Sequence, residues 1–497
     1  MMTGFIYQAV MLVFSFVSKT VFIRTLGDDF LGMNAIFSDV LSLLSMADLG
    51  FGTAMAYSFY KPLAEDNKPK IASLIRFYKK IYNSIALIVT VVGVLCIPFL
   101  DVIINTEKEI PNLEVYYLFS LAGVVISYMF VYKTTLLDAD QKNYKLTTVR
   151  MFANLIKTIL QVVALVMFHN YIVYLSIGVF IQLVNNFVAS AITEKEYPYL
   201  KEKQKVTDVD KEVKKNLFGN MKSVFIYKLS ITLFTATDNI IMSIVVGTAM
   251  TGIYSNYLMV SNKLLLVEQI VFSALTASVG NVIAKESAKK RYEIFSAMQS
   301  VSFIFCGVLA SSFCIMANDL VNVWLGDHYV LPLLTVIAIS INTYFSCALQ
   351  PLWVYRDATG LYQKTKWVML VGAVVNIVLS FVLGNAIGLA GIIFASAIAR
   401  ISTYFWYEPK ILFREYFDQS AGKYFVSILK NVLLVALTVF AGLSLTRNIA
   451  INGWVGLIIE GIIVGSLNMA IFMLAYCKTE GFQMIWKKGK KIIKKDK

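Results

Sequence analysis

Apolar runs long enough to cross a lipid bilayer follow one another along nearly the whole chain, separated by short polar turns. A crossing needs about 20 consecutive apolar residues, and within hydrocarbon every backbone N–H and C=O must be satisfied inside its own helix. Fourteen such runs fit, at about 4–26, 30–58, 79–103, 112–136, 145–168, 171–193, 216–245, 250–281, 294–318, 329–355, 365–384, 388–409, 424–445 and 453–477. Composition agrees: 58% of the 497 residues are hydrophobic, 15% are charged and the mean hydropathy is +0.68, against about 25% charged residues in a soluble domain. The expected fold is an all-α integral membrane protein of about 14 transmembrane helices. One soluble domain is excluded, as is a soluble enzyme on a single anchor. The first two runs carry several polar residues each and are expected to face protein or a water cavity.

The formal charge is +14, from 45 Lys plus Arg against 31 Asp plus Glu. In a soluble chain this would suggest nucleic acid, but in a bilayer protein cytoplasmic loops collect Lys and Arg. The basic residues alternate as fourteen crossings require. One side receives the loops around Lys61–Lys80, Lys133–Arg150, Lys195–Lys222, Lys285–Arg291, Arg356–Lys366 and Lys410–Lys423, and the Lys-rich tail from Lys478. The opposite side has little beyond Arg24, Lys108 and Arg447, together with acids such as Asp28, Asp29, Asp319 and Asp327. Both termini are therefore expected in the cytoplasm, with no nucleic-acid partner. The five cysteines lack CxxC spacing and read as small apolar residues; with only His169 and His328 present, no metal site is expected. The first run lacks a basic start and an A-x-A end, so it reads as a span, not a cleaved signal.

The halves resemble each other. A shift of 220 residues places Gly27 and Gly32 on Gly247 and Gly252, Asp48 on Glu268, and Ala64-Glu65-Asp66 on Ala284-Lys285-Glu286. Six spans per copy is an even number, so the copies would be parallel bundles related by a pseudo-two-fold axis along the membrane normal. The expected organisation is a six-helix bundle at 1–194, a cytoplasmic linker at 195–215, a second six-helix bundle at 216–410, and two additional helices with a basic tail at 411–497. Two such bundles rocking around a central cavity are a transporter architecture.

An ionisable side chain deep in a span costs roughly 2.5 to 3.5 kcal/mol on insertion scales. The spans hold Lys19, Asp39, Asp48, Lys157, Lys228, Asp238, Lys263, Glu268, Arg400, Lys430 and Glu460. At about 1.5 Å per residue, Lys19 and Asp39 come out roughly level, so a pair between them is feasible. Lys157, Lys228, Lys263 and Arg400 fall mid-span in both halves and suit a cationic chamber for an anionic headgroup. The alternative is that each lysine snorkels or closes an internal ion pair, as Lys263 would with Glu268; for Lys430 and Glu460 that alternative is preferred. Asp39, Asp48, Asp238 and Glu268 are candidates for proton or sodium coupling or for plain charge balance. There is no G-x-x-x-x-G-K-[ST], H-E-x-x-H or G-x-S-x-G motif and no large external loop, so no catalytic residue, ATP site or cofactor is expected and the chain does not read as an enzyme. The tail from Trp486 to Lys491 reads as a polybasic strip on anionic membrane lipid.

The stretch Phe22-Ile23-Arg24-Thr25-Leu26-Gly27, with Leu31-Gly32 and Ala47-Asp48-Leu49-Gly50-Phe51-Gly52, resembles bacterial polysaccharide flippases of the Wzx type, within the multidrug, oligosaccharidyl-lipid and polysaccharide exporter superfamily. The resemblance implies alternating access that moves an undecaprenyl-diphosphate-linked oligosaccharide across the bacterial cytoplasmic membrane, driven by an ion gradient or the membrane potential, with contact to polysaccharide polymerase machinery. It also implies roles for Lys19, Arg24, Lys263 and Asp39, which match by position the basic residues on helices 1 and 8 and the acid on helix 2 of related lipid II flippases, lysine standing for arginine at some of them. Two other readings compete: a cation-coupled drug antiporter, which would want an acidic chamber, and a membrane-embedded polymerase or glycosyltransferase, which would want a charged external loop.

Overall fold

The structure is a computed structural model that describes residues 2–48, 51–107, 109–200, 225–446 and 453–495, with the side chains of 2–6, 9, 47, 48, 53, 54, 277 and 488–495 undescribed. The expected linker from 201 onward, Lys108, Arg447 and the basic side chains from Lys488 lie outside the described residues. What is described is helical, and no strand occurs in it.

Among the described residues nine helices are long and apolar enough to span a membrane, or up to eleven spans if each of two bent pairs counts as one. These pairs are Leu113–Tyr128 (α5) with Val131–Ala139 (α6), bent by 48°, and Leu333–Ala348 (α13) with Gln350–Thr359 (α14), bent by 44°. The longest helix, Tyr362–Ser402 (α15), is a hairpin. Its backbone leaves helical geometry at Ile387 and Gly388, where φ of Gly388 is 63°. Asn376 Oδ1 then accepts from Ser396 Oγ at 3.1 Å, although 20 residues of straight helix would separate them by about 30 Å. The break falls where the apolar pattern separates the eleventh and twelfth expected spans.

The second and third expected spans differ in the structure. The second run, read as one span over 30–58, is broken: Asp28–Leu44 (α2) ends in a 3-10 turn at Ser45–Asp48, and Phe51–Ala64 (α3) starts afresh. Asp48, Gly50 and Gly52 are all poor helix formers. The third helix starts at Lys68, not near 79, because Asn67 Oδ1 caps the backbone N–H of Lys70 at 3.1 Å and Pro69 occupies the first turn. This helix, Lys68–Leu95 (α4), carries its basic face beyond the apolar segment.

The chain packs into two compact units, Met1–Gly252 and Ile253–Lys497. This is a packing boundary, whereas 195–215 is a division read from repeats; the two are different quantities. In the first unit the repeated glycines meet each other's segments. Gly27 (φ 88°) and Gly247 (φ 119°) both occupy the region that favours glycine. A Cβ on Gly32 would lie 1.9 Å from the Thr248 carbonyl oxygen, and one on Gly252 would lie 2.4 Å from that of Asp28. Under the 220-residue shift Gly32 maps to Gly252 and Asp28 to Thr248, so the two contacts are one contact made twice. Small residues allow such backbone approach between membrane helices.

The rest of the first unit consists of Met2–Leu26 (α1), Tyr144–Phe168 (α7), Tyr171–Glu196 (α8), a helix at 225–236 (α9), Asp238–Val245 (α10) and the first residues of Thr248–Lys285 (α11). Near the polar ends, Lys142 bridges Asp140 and Glu196 at 2.8 Å each, and Lys133 pairs with Glu194 at 2.5 Å. In the second unit Ala288–Leu325 (α12) packs against α13, Gly422–Thr446 (α17) and Gly453–Tyr476 (α18). The tail forms a helix, Glu480–Lys495 (α19), whose Gly481 lies so close to Ser296 of α12 that a Cβ would come within 2.5 Å of its carbonyl.

Gly32→Ala and Gly252→Ala are each expected to cost about 1–3 kcal/mol through forced separation of backbones. Gly280→Ala, where an added methyl meets nothing within 4 Å, is expected to be neutral or slightly stabilising. Thermal unfolding of the purified protein in detergent checks the contrast, and equal midpoints for all three variants would contradict the reciprocal contact.

Candidate functional site

In the first unit Lys19 is half-buried on α1, about 10 Å along the helix from its end at Leu26. Arg24 is exposed in the last turn, where a cation also complements the helix dipole. Because α2 starts at Asp28, Asp39 lies about 16 Å along it, deeper than the level pairing with Lys19 assumed. Asp39 is half-buried, and its Oδ2 accepts from Asn239 Nδ2 at 2.7 Å. Asp238 next to that asparagine acts on Asp39 electrostatically and opens α10, a position that favours an acid. Asp39, Asp238 and Asn239 therefore form one group on α2 and α10. Sequence reading had no signal for Asn239, whose partner is 200 residues away.

Lys157 is half-buried on α7 and Lys228 half-buried on α9. Neither makes an ion pair among the described residues. Around the end of α1 an aromatic cluster gathers side chains from four helices. Phe22 packs edge-on against Tyr171 and Tyr174 at 5.8 and 5.3 Å, and Tyr116 meets Tyr171 at 5.0 Å. Phe30 contacts Tyr116 and Tyr171 at 5.8 and 5.4 Å, and Tyr171 donates to Asn34 Oδ1 at 3.0 Å.

In the second unit Lys263 is half-buried and Glu268 is 0% exposed, both on α11. No ion pair joins them, which corrects the internal pairing considered above. Residues five apart on a helix point about 140° away from each other and are not neighbours in the sense that i,i+4 residues are. Glu268 lies beside Ser302 and Cys347, yet neither carboxylate oxygen has a hydrogen-bond partner among the described residues. Arg400, 8% exposed on α15, sets its guanidinium 6.0 Å from the Phe345 ring centre. The side chain of Asp48 lies outside the described residues. Among the described residues no group of three or more His, Cys, Asp or Glu could hold a metal ion.

The fold has solved counterparts. A structure of the lipid II flippase MurJ in an inward closed conformation superposes with a TM-score of 0.65 at 13% identity, covering 96% of this chain and 99% of the other. An inward-facing multidrug resistance MATE family transporter of the MOP superfamily gives 0.56 at 12% identity over 80% and 93%. A mutant of the Vibrio cholerae MATE transporter VcmN gives 0.53 at 14% identity over 83% and 96%. The chain thus has the helical membrane fold shared by these proteins. Its residues 3–280 match the family model described as polysaccharide biosynthesis protein, and the chain belongs to that family. No curated protein sequence matches it.

Removing the Asn239 amide leaves a half-buried carboxylate short of a donor, so Asn239→Ala is expected to destabilise the first unit by about 1–3 kcal/mol. Asn239→Asp, which sets a third carboxylate beside Asp39 and Asp238, should cost more at neutral than at acidic pH, because protonation relieves the repulsion. Thermal midpoints of both variants at the two pH values test this; a pH-independent loss for Asn239→Asp would contradict the charge grouping.

Proposed function

We propose that this chain is a flippase that moves an undecaprenyl-diphosphate-linked oligosaccharide from the cytoplasmic to the outer leaflet of a bacterial cytoplasmic membrane. The observation that carries the reading is the set of half-buried lysines Lys157, Lys228 and Lys263, which sit inside apolar helices without an ion pair among the described residues. A membrane cation costs a few kcal/mol, and a diphosphate supplies the anion that repays it through charge-assisted hydrogen bonds. Membership of a polysaccharide biosynthesis family supports a sugar-bearing cargo. Lys19, Arg24 and Arg400 belong to the same cationic set, and Asp39, Asp238 and Glu268 are its acids, serving proton or sodium coupling or charge balance.

In this reading the bundles at 1–194 and 216–410 are the rocking halves of an alternating-access cycle, and 411–497 adds two helices and the tail. Both termini are cytoplasmic, and polysaccharide polymerase machinery receives the flipped cargo. A cation-coupled drug antiporter is the second reading, favoured by the MATE-like fold; it calls for an acidic lining where this chain has lysines.

Lys19→Glu and Lys263→Glu are expected to abolish surface glycan while leaving the amount of protein in the membrane unchanged. The measurement is glycan display in cells whose chromosomal copy is deleted and replaced by each variant, alongside membrane immunoblots. Full display by the doubly substituted protein would overturn the cationic role. Loss of drug resistance with intact glycan would select the antiporter.

A further inference from the structure

Glu460 stands apart from the residues used so far. It lies on α18, one of the two helices outside the expected repeat, seven residues or about 10 Å from the helix start at Gly453. The side chain is 1% exposed, and neither carboxylate oxygen has a hydrogen-bond partner among the described residues. The balancing cation expected for it is not there: no described ion pair includes Glu460. The charged group acting on it is Asp319 of α12, which is another acid.

The carboxylate lines a crevice of about 30 Å³ formed by α12, α17 and α18, with Ile315, Gly442, Thr446, Val464 and Asn468 among its walls. A water needs about 10–15 Å³ measured in this way, so the space takes one or two waters or one small ion. Leu445, Ile463 and Leu467 at its rim are 59%, 49% and 41% exposed, which turns the mouth toward lipid. The polar neighbours are committed elsewhere: Asn468 donates to Ser312 at 2.8 Å, and Thr446 donates to the Gly442 carbonyl at 3.0 Å. Their oxygens remain available as acceptors to a cation in the crevice.

We propose that Glu460, with the crevice between α12, α17 and α18, is a binding site for one monovalent cation, a proton or a sodium ion. A bare carboxylate there would sit in hydrocarbon with a second acid acting on it and no donor among the described residues, a costly arrangement. One small cation removes that cost and fits the volume. A divalent ion does not fit the donor set, since among the described residues the crevice is lined by one carboxylate and the side-chain oxygens of Thr446 and Asn468, and Ca²⁺ takes 6–8 oxygen ligands. The site goes beyond the flippase reading and does not depend on the nature of the cargo.

The test is chemical modification of the full-length protein reconstituted in lipid vesicles. Dicyclohexylcarbodiimide enters from the bilayer and adds to a protonated carboxyl; the adduct is mapped by peptide mass spectrometry. The expected result is an adduct on Glu460 that is heavier in acidic than in alkaline buffer and absent in Glu460→Gln. If sodium chloride suppresses the adduct and choline chloride does not, the crevice takes sodium as well; equal labelling in both salts assigns it to the proton. Absence of the adduct from Glu460 at every pH, while other carboxyls of the same sample react, overturns the proposal. So does labelling of Glu460 that is independent of both pH and salt.

Discussion

A charge placed in hydrocarbon must be answered by a partner, by water or by a ligand, and that requirement organises this chain. Its helices are ordinary apolar spans, and what distinguishes them is where the exceptions fall. Near the polar ends the exceptions are answered locally: Lys142 holds Asp140 and Glu196, and Lys133 holds Glu194. At Asp140, burial alone would raise the carboxyl, but hydrogen bonds from Lys142 and Tyr197 outweigh it and hold it below the usual carboxylate range. Deeper in the spans, Lys157, Lys228, Lys263 and Glu268 make no such pairs among the described residues. The same chain thus contains both solutions, and the difference between them separates scaffold from candidate site.

The glycine contacts supply a second constraint. An internal duplication inferred from weak sequence matches predicts that equivalent residues make equivalent contacts. Gly32 against Thr248 and Gly252 against Asp28 do so, with the positive φ of Gly27 matched at Gly247. At this point two helix starts cross at a distance that only glycine permits, and each supplies one glycine and one carbonyl.

Much of the fold was legible because hydrocarbon imposes a length and a composition on every span. The hairpin inside α15 was legible for the same reason, since the apolar pattern lapses beside Gly388. The break in the second span was harder to see, because Met55 and Phe59 beyond it are as apolar as the residues before it and periodicity alone does not register a turn. The candidate site was legible only one residue at a time. Lysines within apolar runs are visible in any sequence, but the joining of Asp39 to Asn239, or of Phe22, Tyr116 and Tyr171 into one cluster, depends on helix packing that local pattern does not encode. Lys263 and Glu268 show the converse. Proximity in sequence suggested a pair, and helix geometry forbids it.

Helices in a membrane gain little from the hydrophobic effect on meeting each other, so packing and hydrogen bonds between side chains must hold them. In the second unit much of that work falls to neutral groups, beside the ion pair of Arg356 with the buried Glu408 at 3.7 Å. Tyr257 donates to Asn318 at 2.6 Å and accepts from the Leu331 backbone at 3.0 Å. Ser261 meets Thr343 at 2.7 Å, Asn342 donates to the Ile393 carbonyl at 2.7 Å, and Asn431 donates to Tyr476 at 2.8 Å. Such bonds average about 0.6 kcal/mol each in membrane proteins, enough in number to fix helix pairs and weak enough singly to be exchanged when helices slide. Where amides, hydroxyls and these ion pairs hold the helices together, the ionisable residues in the spans that make no such pair among the described residues require a different explanation. A ligand that arrives charged, whether a cargo phosphate or a coupling cation, gives one.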